Sequence, residues 1–129
     1  MLHIKVETNK SLITKITLLP AENFSWDAPL NDYMKGKEKL PPLDWTKTTP
    51  FQQRVYEVLL RLPRNKTITY GELAKLCGTS PRGVGTAMRL NPFPYVIPCH
   101  LVVGQKGLVG FGYGLEMKRQ MLEAEGIET

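Results

Sequence analysis

Cys99 and His100 are adjacent residues whose side chains could supply a nucleophile and its base. A thiolate attacks carbon readily, and a nearby histidine can take the thiol proton. Adjacent residues on an extended strand point to opposite faces, so this chemistry requires a bend after Pro98 or a bridging water. The alternative is that Cys99 is a small buried hydrophobe, which is the commoner role of a cysteine.

The residues around Cys99 favour the functional interpretation. Three prolines within residues 92–98 exclude a helix and impose an extended path, and rigidly held loops often carry reactive residues. A carboxylate beside His100 would orient its ring and stabilise its charge, and Glu125, at the end of the last predicted helix, is a candidate. Cys77 occupies an apolar helical position and is interpreted as a core residue.

The composition argues against a metal site and a disulfide. A tetrahedral structural site needs four convergent nitrogen or sulfur ligands, and the soft candidates are scattered along the chain. They are His3, Cys77, Cys99 and His100. We expect no metal, and we expect both cysteines to remain thiols in a reducing compartment.

Positive charge is concentrated in the middle of the chain. The formal net charge is +5; residues 1–49 hold seven lysines and six acids, whereas residues 50–106 hold eight basic residues and two glutamates. Such a segment is typical of a phosphate-binding face, although a solvated basic surface explains the charge equally well. Its arginines are Arg54, Arg61, Arg64, Arg82 and Arg89.

The apolar stretches are too short for a membrane span, which needs about 20 residues. The first residues also lack a basic region followed by an apolar block. We therefore expect a soluble protein in the cytoplasm, or in the nucleus of a eukaryotic cell. As a separate expectation, the protein is a monomer.

Three consecutive helices are predicted from their caps. At residues 49–52 a threonine precedes a proline, and a glutamine completes a capping box. Residues 69–72 repeat this pattern and begin a short helix that Gly78 can close. Ser80 then caps a helix over residues 82–90. Two short helices joined by a tight turn predict a helix-turn-helix.

The last of these helices contains Gly83 and Gly85. Each interior glycine costs a helix up to about 1 kcal/mol relative to alanine, so the pair needs a reason such as the close approach of another backbone. A nucleic-acid groove and tight packing against the neighbouring helix both supply that reason, and both stay open here.

The N-terminal part of the chain predicts a small β-structure. Residues 2–6 alternate between apolar and polar, and residues 12–19 are apolar and β-branched, which indicates a hairpin. The composition of residues 20–49 indicates an irregular linker on the surface, with a short helix at residues 30–35.

The C-terminal part completes an α+β fold class. A second hairpin is predicted over residues 102–109 and a helix over residues 115–125. We expect a reduced N-terminal β-segment with its linker at residues 1–48. A mainly helical, winged-helix-like domain with the helix-turn-helix is expected at residues 49–129.

The sequence NPFPYVIPCH at residues 91–100 resembles that of the O6-alkylguanine-DNA alkyltransferase family, and the similarity extends over residues 49–126. The resemblance implies a DNA repair protein that binds double-stranded DNA in the minor groove through its helix-turn-helix. It would flip the alkylated guanine out of the stack and transfer the alkyl group irreversibly to Cys99. No cofactor is implied, and each molecule would be spent after one transfer.

The resemblance also implies roles for individual residues. Tyr70 would aid base flipping and donate a proton to the guanine ring, and Asn91 would brace the turn and the active-site loop. His100 would act on Cys99 through a water, and Glu125 would hold His100.

Further residues are implied in DNA binding and in the substrate pocket. Arg82 matches the family's finger, which fills the space that the flipped base leaves. The other implied DNA contacts are Tyr70, Gly83, Gly85, Thr86 and Arg89. Carbonyl groups near Cys99 and Val102 would read the guanine amino group. The implied pocket comprises Pro94, Val102, Phe111, Gly112 and Tyr113.

Three features depart from the family's usual pattern. Leu101 stands where an arginine usually follows the Cys-His pair, which removes a charge beside the site. Phe111 begins a lid segment that usually starts with tyrosine, which bears on pocket selectivity. The segment before Thr49 is shorter than the customary N-terminal domain, and the metal ligands of that domain are not matched.

Two other functions compete with alkyl transfer. A non-enzymatic protein that binds alkylated bases would keep the flipping apparatus but would not need Cys99. A helix-turn-helix transcription regulator would explain the basic segment but not Cys99, His100 and Glu125.

Overall fold

Residues 2–104 and 115–127 are described by the structure, which is a computed structural model. Within them the chain forms five α-helices and two small β-sheets. The predicted α+β fold class is confirmed. Of the helices in these residues, none is long and apolar enough to cross a membrane.

The predicted N-terminal hairpin is present and is longer than its sequence pattern. Strand β1 (Leu2–Asn9) pairs antiparallel with β2 (Leu12–Pro20), and the buried side chains alternate with exposed ones. Lys10 and Ser11 at the turn have positive φ angles of 50° and 72°. Two such residues give a hairpin turn whose twist matches that of the strands.

A third strand, β3 (Ser25–Trp26), pairs parallel with β1 and gives the sheet order β2-β1-β3. His3 on β1 fixes this strand, because Nδ1 lies 2.7 Å from Oγ of Ser25 and Nε2 lies 2.8 Å from Oδ1 of Asp27. The sequence did not predict β3, since two residues are too few to show an alternating pattern.

The expectation of a surface linker over residues 20–49 is wrong for part of its length. Helix α1 (Asn31–Met34) is present within the predicted range, but Leu30 and Leu43 are buried. The backbone of Ile13 on β2 makes hydrogen bonds of 2.7 and 2.8 Å to the residues on either side of Leu43. These bonds tie the segment to the sheet.

The three central helices begin at their predicted caps. Thr49 and Thr69 each complete a capping box, and the Ser80 hydroxyl accepts a hydrogen bond of 3.1 Å from the backbone of Gly83. Gly78, with φ of 68°, ends the second helix in the left-handed conformation. The helices are α2 (Pro50–Leu60), α3 (Tyr70–Cys77) and α4 (Pro81–Arg89).

Helices α3 and α4 both pack against α2. Tyr56 of α2 is fully buried, and its hydroxyl donates a hydrogen bond to the carbonyl of Ala87 in α4. Leu73 on α3 and Val84 on α4 are fully buried in the same core. A buried polar group costs free energy unless it is paired, so the Tyr56 bond fixes α4 relative to α2.

A short parallel sheet brings the residues after His100 to the start of α3. Strand β4 (Ile68–Thr69) pairs with β5 (Val102–Val103). The second arm of the hairpin predicted over residues 102–109, and with it any wing, lies outside the described residues. Helix α5 (Leu115–Ala124) follows. The division of the chain at residue 48 stays a prediction.

Candidate active site

The amide side chain of Asn91 braces the loop between α4 and Cys99. Asn91 donates from Nδ2 to the carbonyl of Ile97 at 3.0 Å and accepts at Oδ1 from the backbone of Phe93 at 2.9 Å. Tyr95, near the centre of this loop, has a φ of 76°. Such a conformation costs a non-glycine residue on the order of 1–3 kcal/mol, so the surrounding contacts must hold the loop in place.

Cys99 begins a 3₁₀ turn, Cys99–Leu101, which provides the bend that a Cys-His pair requires. The backbone amide of Cys99 donates to the carbonyl of Ile97 at 2.7 Å, which reverses the chain at Pro98. Cys99 is 5% exposed and His100 is fully buried. The sequence alone could not choose between this turn and a strand.

His100 is held between a carboxylate and an aromatic ring. Its Nε2 lies 3.4 Å from Oε1 of Glu125, and its ring stacks on that of Tyr95 at a centroid distance of 6.0 Å. Burial lowers the pKa of His100, and Glu125 opposes this shift. Its Nδ1 is buried and has no hydrogen-bond partner among the described residues. The imidazole is therefore neutral at rest, and among the described residues only its Nε2 has a polar partner.

Arg64 joins the same carboxylate and was not predicted as part of the site. Its Nε and Nη2 donate to Oε1 of Glu125 at 3.1 and 2.5 Å. Its Nη2 also donates to the carbonyl of Tyr95 at 3.0 Å, and Nη1 to the carbonyl of Val96 and the hydroxyl of Tyr33, both at 3.3 Å. Arg64 thus links α1, the active-site loop and the end of the chain's last helix.

This position corrects the interpretation of the basic segment. Arg64 was counted among the arginines of a phosphate-binding face, but it is bound to Glu125 instead. Arg54 lies over the ring of Phe51 at 5.5 Å. The residues around Arg64 in the sequence could not predict its ion pair, because Glu125 is 61 residues further along the chain.

The surroundings of Cys99 act on its thiol in opposite directions. Burial raises the pKa of Cys99, whereas a hydrogen bond from the Asn91 amide and the charge of Lys118 lower it. The raising effect of burial is the largest of these. Cys99 is therefore a thiol at rest, with groups beside it that favour the thiolate.

Lys118 is a second charged residue near Cys99 that the sequence interpretation missed. It is fully buried on α5, and its Nζ donates to the carbonyl of Val102 at 2.7 Å. Burial lowers its pKa to about 8, and Cys99 opposes that shift. Lys118 and Glu125 are seven residues apart and therefore share a helix face. That spacing was the available signal.

Tyr70 is the first residue of α3 and lies near the thiol. Burial raises its pKa, and a charge on Cys99 would raise it further. Tyr70 therefore keeps its proton at neutral pH. The predicted role of Tyr70 as a proton donor requires this protonated form.

The two glycines of α4 have different surroundings. A Cβ atom on Gly83 would lie 3.0 Å from Oγ1 of Thr79 and 3.1 Å from Cζ of Phe51, so Gly83 allows close packing within the protein. A Cβ on Gly85 would have no atom within 4 Å outside its own helix backbone. Internal packing therefore explains Gly83 but leaves Gly85 unexplained.

The other predicted DNA-binding residues are exposed or half-buried, whereas the predicted pocket residues that the structure describes are buried. Arg82 and Arg89 are exposed at the two ends of α4, and the hydroxyl of Thr86 donates to the carbonyl of Arg82 at 3.1 Å. Pro94 lies within the loop between α4 and Cys99, Val102 follows the Cys99–Leu101 turn, and both are buried. The pocket residues predicted at Phe111, Gly112 and Tyr113 lie outside the described residues.

Fold and site together define an α+β protein in which a buried cysteine and histidine and a half-buried glutamate lie beside a pair of helices joined by a three-residue turn. The chain belongs to the family described as 6-O-methylguanine DNA methyltransferase, DNA binding domain, whose model matches residues 50–127. This confirms the relationship expected from the sequence.

Known relatives agree with this membership. The methylated-DNA–protein-cysteine methyltransferase of Thermococcus gammatolerans is 45% identical over 96 residues, which are 74% of this chain and 55% of the relative. The chain thus spans about half the length of the curated relatives it matches.

Two crystal structures resemble nearly the whole chain. The O6-methylguanine-DNA methyltransferase of Pyrococcus kodakaraensis has a TM-score of 0.78 at 27% identity and covers 98% of this chain and 100% of its own. The Mycobacterium tuberculosis protein named OGT, solved in complex with DNA, has a TM-score of 0.71 at 29% identity and covers 96% and 93%.

Proposed function

We propose that this chain repairs DNA by moving an alkyl group from O6 of guanine to Sγ of Cys99. The observation that carries the proposal is the buried Cys99 on a braced loop, followed by His100 with Glu125 at 3.4 Å. Transcription regulation does not require Cys99, His100 and Glu125 to lie together. Binding of a lesion without transfer does not require the thiol of Cys99.

The proton and electron movements of the transfer balance within the site. Nδ1 of His100 is the nitrogen left to accept the proton of Cys99, through a bridging water, and Glu125 stabilises the resulting imidazolium. The thiolate attacks the alkyl carbon, a C–S bond forms, and the C–O6 bond breaks with its electron pair moving to the guanine. Tyr70 supplies a proton to the guanine ring, so that neutral guanine leaves.

The charges near the thiol support its activation when a substrate is present. A buried thiol with a raised pKa is a poor nucleophile in its resting state. The Asn91 amide and Lys118 both favour the thiolate form. The product is a thioether without a good leaving group, which makes Cys99 a single-use acceptor.

We further propose that α4 enters the minor groove and that the damaged base flips into the pocket beside Cys99. The open space over Gly85 and the exposed Arg82 at the start of α4 support this. Base flipping costs a few kcal/mol, which contacts such as an inserted Arg82 must offset. We place this activity with the cell's DNA, in the cytoplasm or in a eukaryotic nucleus.

Intact-protein mass spectrometry tests the proposal. The protein is incubated with a duplex containing O6-methylguanine, and we expect the wild type to gain one methyl group. Cys99→Ala should gain none, and Cys77→Ala, the matched control, should gain one as the wild type does. If the wild type binds the lesion without gaining mass, the protein is a lesion binder and the transfer proposal is wrong.

A further inference from the structure

An open groove lies between the N-terminal hairpin and the end of α4. Its volume is about 590 Å³, and three basic side chains from three different elements line it. Lys15 comes from β2, Lys47 from the 3₁₀ turn before α2, and Arg89 from the last turn of α4. Glu7 is the only carboxylate among the lining residues.

The backbone that carries Lys15 is fixed against the residue that follows α4. The amide of Ile16 donates to the carbonyl of Pro92 at 2.9 Å, across the groove wall. Lys15 is exposed and its neighbour Ile16 is buried, so Lys15 faces outward. The hairpin therefore holds a cation at a set position beside the C-terminal end of α4.

Lys47 is held in a similar way from the other side. The Asp44 side chain caps the turn that ends at Lys47, by accepting from the backbone of Thr46 at 3.1 Å. Trp45 in the same turn packs edge-on against Phe93 at a centroid distance of 6.3 Å. The turn is thus anchored to the loop that follows α4.

Within the described part of the chain the groove carries more positive than negative charge, because its three cations face Glu7 in the lining and Asp44 beside Lys47. None of Lys15, Lys47 and Arg89 makes an ion pair there, although Glu7 is the cross-strand neighbour of Lys15. The partial negative charge at the C-terminal end of α4 explains why a cation lies at Arg89. It does not explain why Lys15 and Lys47 lie around the same groove. Three exposed cations around one space favour an anionic partner.

We propose that this groove is a second contact surface for the DNA backbone, through which the part of the chain before α2 (residues 2–48, the N-terminal unit) contacts the duplex that α4 binds. The inference rests on the proposed function, because α4 brings the duplex to the groove. Seven residues separate Arg82 from Arg89, which is about 10 Å along a helix. Duplex DNA carries one charge per about 1.7 Å of its axis, so phosphates that pass the end of α4 can reach both lysines.

The test is the salt dependence of duplex binding by Lys15→Ala/Lys47→Ala. Each phosphate contact adds about 0.9 to the slope of log K against log salt, so we expect the slope to fall by about 1.8. The affinity advantage of the wild type over the variant should shrink about tenfold between 50 and 200 mM salt. Alkyl transfer from a free O6-alkylguanine base should not change, because that reaction uses no phosphate contact.

The double variant Lys37→Ala/Lys39→Ala is the matched control, since both lysines are exposed in the same unit and neither lines the groove. A slope equal to that of the wild type in Lys15→Ala/Lys47→Ala would overturn the inference. An equal drop in the control would also overturn it, because the effect would then be one of general charge. If the slope falls as expected in Lys15→Ala/Lys47→Ala but the wild type transfers no alkyl group, only the proposed function is contradicted.

Discussion

Replacing Arg64 with alanine removes five hydrogen bonds that meet at the active site. Two go to Glu125, one each to the carbonyls of Tyr95 and Val96, and one to the hydroxyl of Tyr33. The change leaves the Glu125 carboxylate with His100 as its remaining partner among the described residues. Both the stability and the pH dependence of the protein should respond.

The expected loss of stability lies between those of an exposed and a buried ion pair. The Arg64 side chain is 31% exposed and that of Glu125 is 15% exposed. Exposed pairs contribute up to about 1 kcal/mol, and breaking a buried pair costs about 3–5 kcal/mol. We expect Arg64→Ala to lower the free energy of unfolding by about 2 kcal/mol, which lowers Tm by roughly 8 °C for a chain of this size.

This loss should depend on pH in a defined direction. Burial raises the pKa of Glu125, but hydrogen bonds from His100 and Arg64 outweigh it and hold the pKa below its ordinary value of 4.5. The stabilisation is therefore complete above the ordinary value and is lost as the pH falls through the lowered one. The Tm difference between wild type and Arg64→Ala should be full at pH 7 and should shrink as the pH falls below the ordinary value of 4.5.

The rate of alkyl transfer gives a second measurement. The charge of Arg64 contributes to the lowered pKa of His100, so its removal should raise that pKa. The acid limb of the single-turnover pH profile should then move to higher pH. Arg64→Lys should restore part of the effect, since an ammonium keeps the charge but loses the forked geometry.

Arg61→Ala is the matched control, because Arg61 is an exposed arginine three residues away. It should leave both Tm and the acid limb as in the wild type. If Arg64→Ala shows neither change, the ion pair with Glu125 does not organise the site and the reasoning is refuted.

The remaining predictions concern Lys118 and Gly85. Lys118→Met should slow transfer at neutral pH because the thiolate of Cys99 loses a nearby cation. The difference from the wild type should shrink as the pH rises through about 8, where Lys118 itself loses its proton. A constant difference in single-turnover rates would contradict this. Gly85→Leu should weaken duplex binding without lowering Tm, measured by titration and thermal unfolding, whereas equal duplex affinity would show that α4 does not approach DNA at Gly85.

The helices could be predicted because their signals are local. Thr49, Thr69 and Ser80 each cap a helix within three residues of themselves, so the sequence contains both partners of each bond. Gly78 likewise ends α3 through its own backbone conformation. These interactions do not depend on how the rest of the chain folds.

The N-terminal unit was predicted less well because its pairings are distant in sequence. His3 holds strand β3 against β1 by contacts with Ser25 and Asp27. Both partners are more than 20 residues away in the sequence. Leu30 and Leu43 lie in a stretch without periodicity, and only the sheet beneath them makes them core residues. Tertiary packing decided these positions.

The active site depends both on local sequence signals and on contacts between residues that are distant in the sequence. Cys99, His100 and Glu125 were predicted, and the structure brings His100 and Glu125 together. Arg64 could not have been found, because a single arginine in a basic segment gives no sign of its partner. Lys118 could have been found, because a lysine one heptad before Glu125 lies on the buried face of the helix.

The most direct test of the account is to locate the transferred methyl group in the protein. The protein is reacted with an O6-methylguanine duplex, digested, and mapped by peptide mass spectrometry, with the peptide containing Cys77 as the internal reference. The account predicts one methyl group per molecule, on Cys99, and an unmodified Cys77. A methyl group on Cys77 or on any other residue, or no methyl group at all, would contradict it.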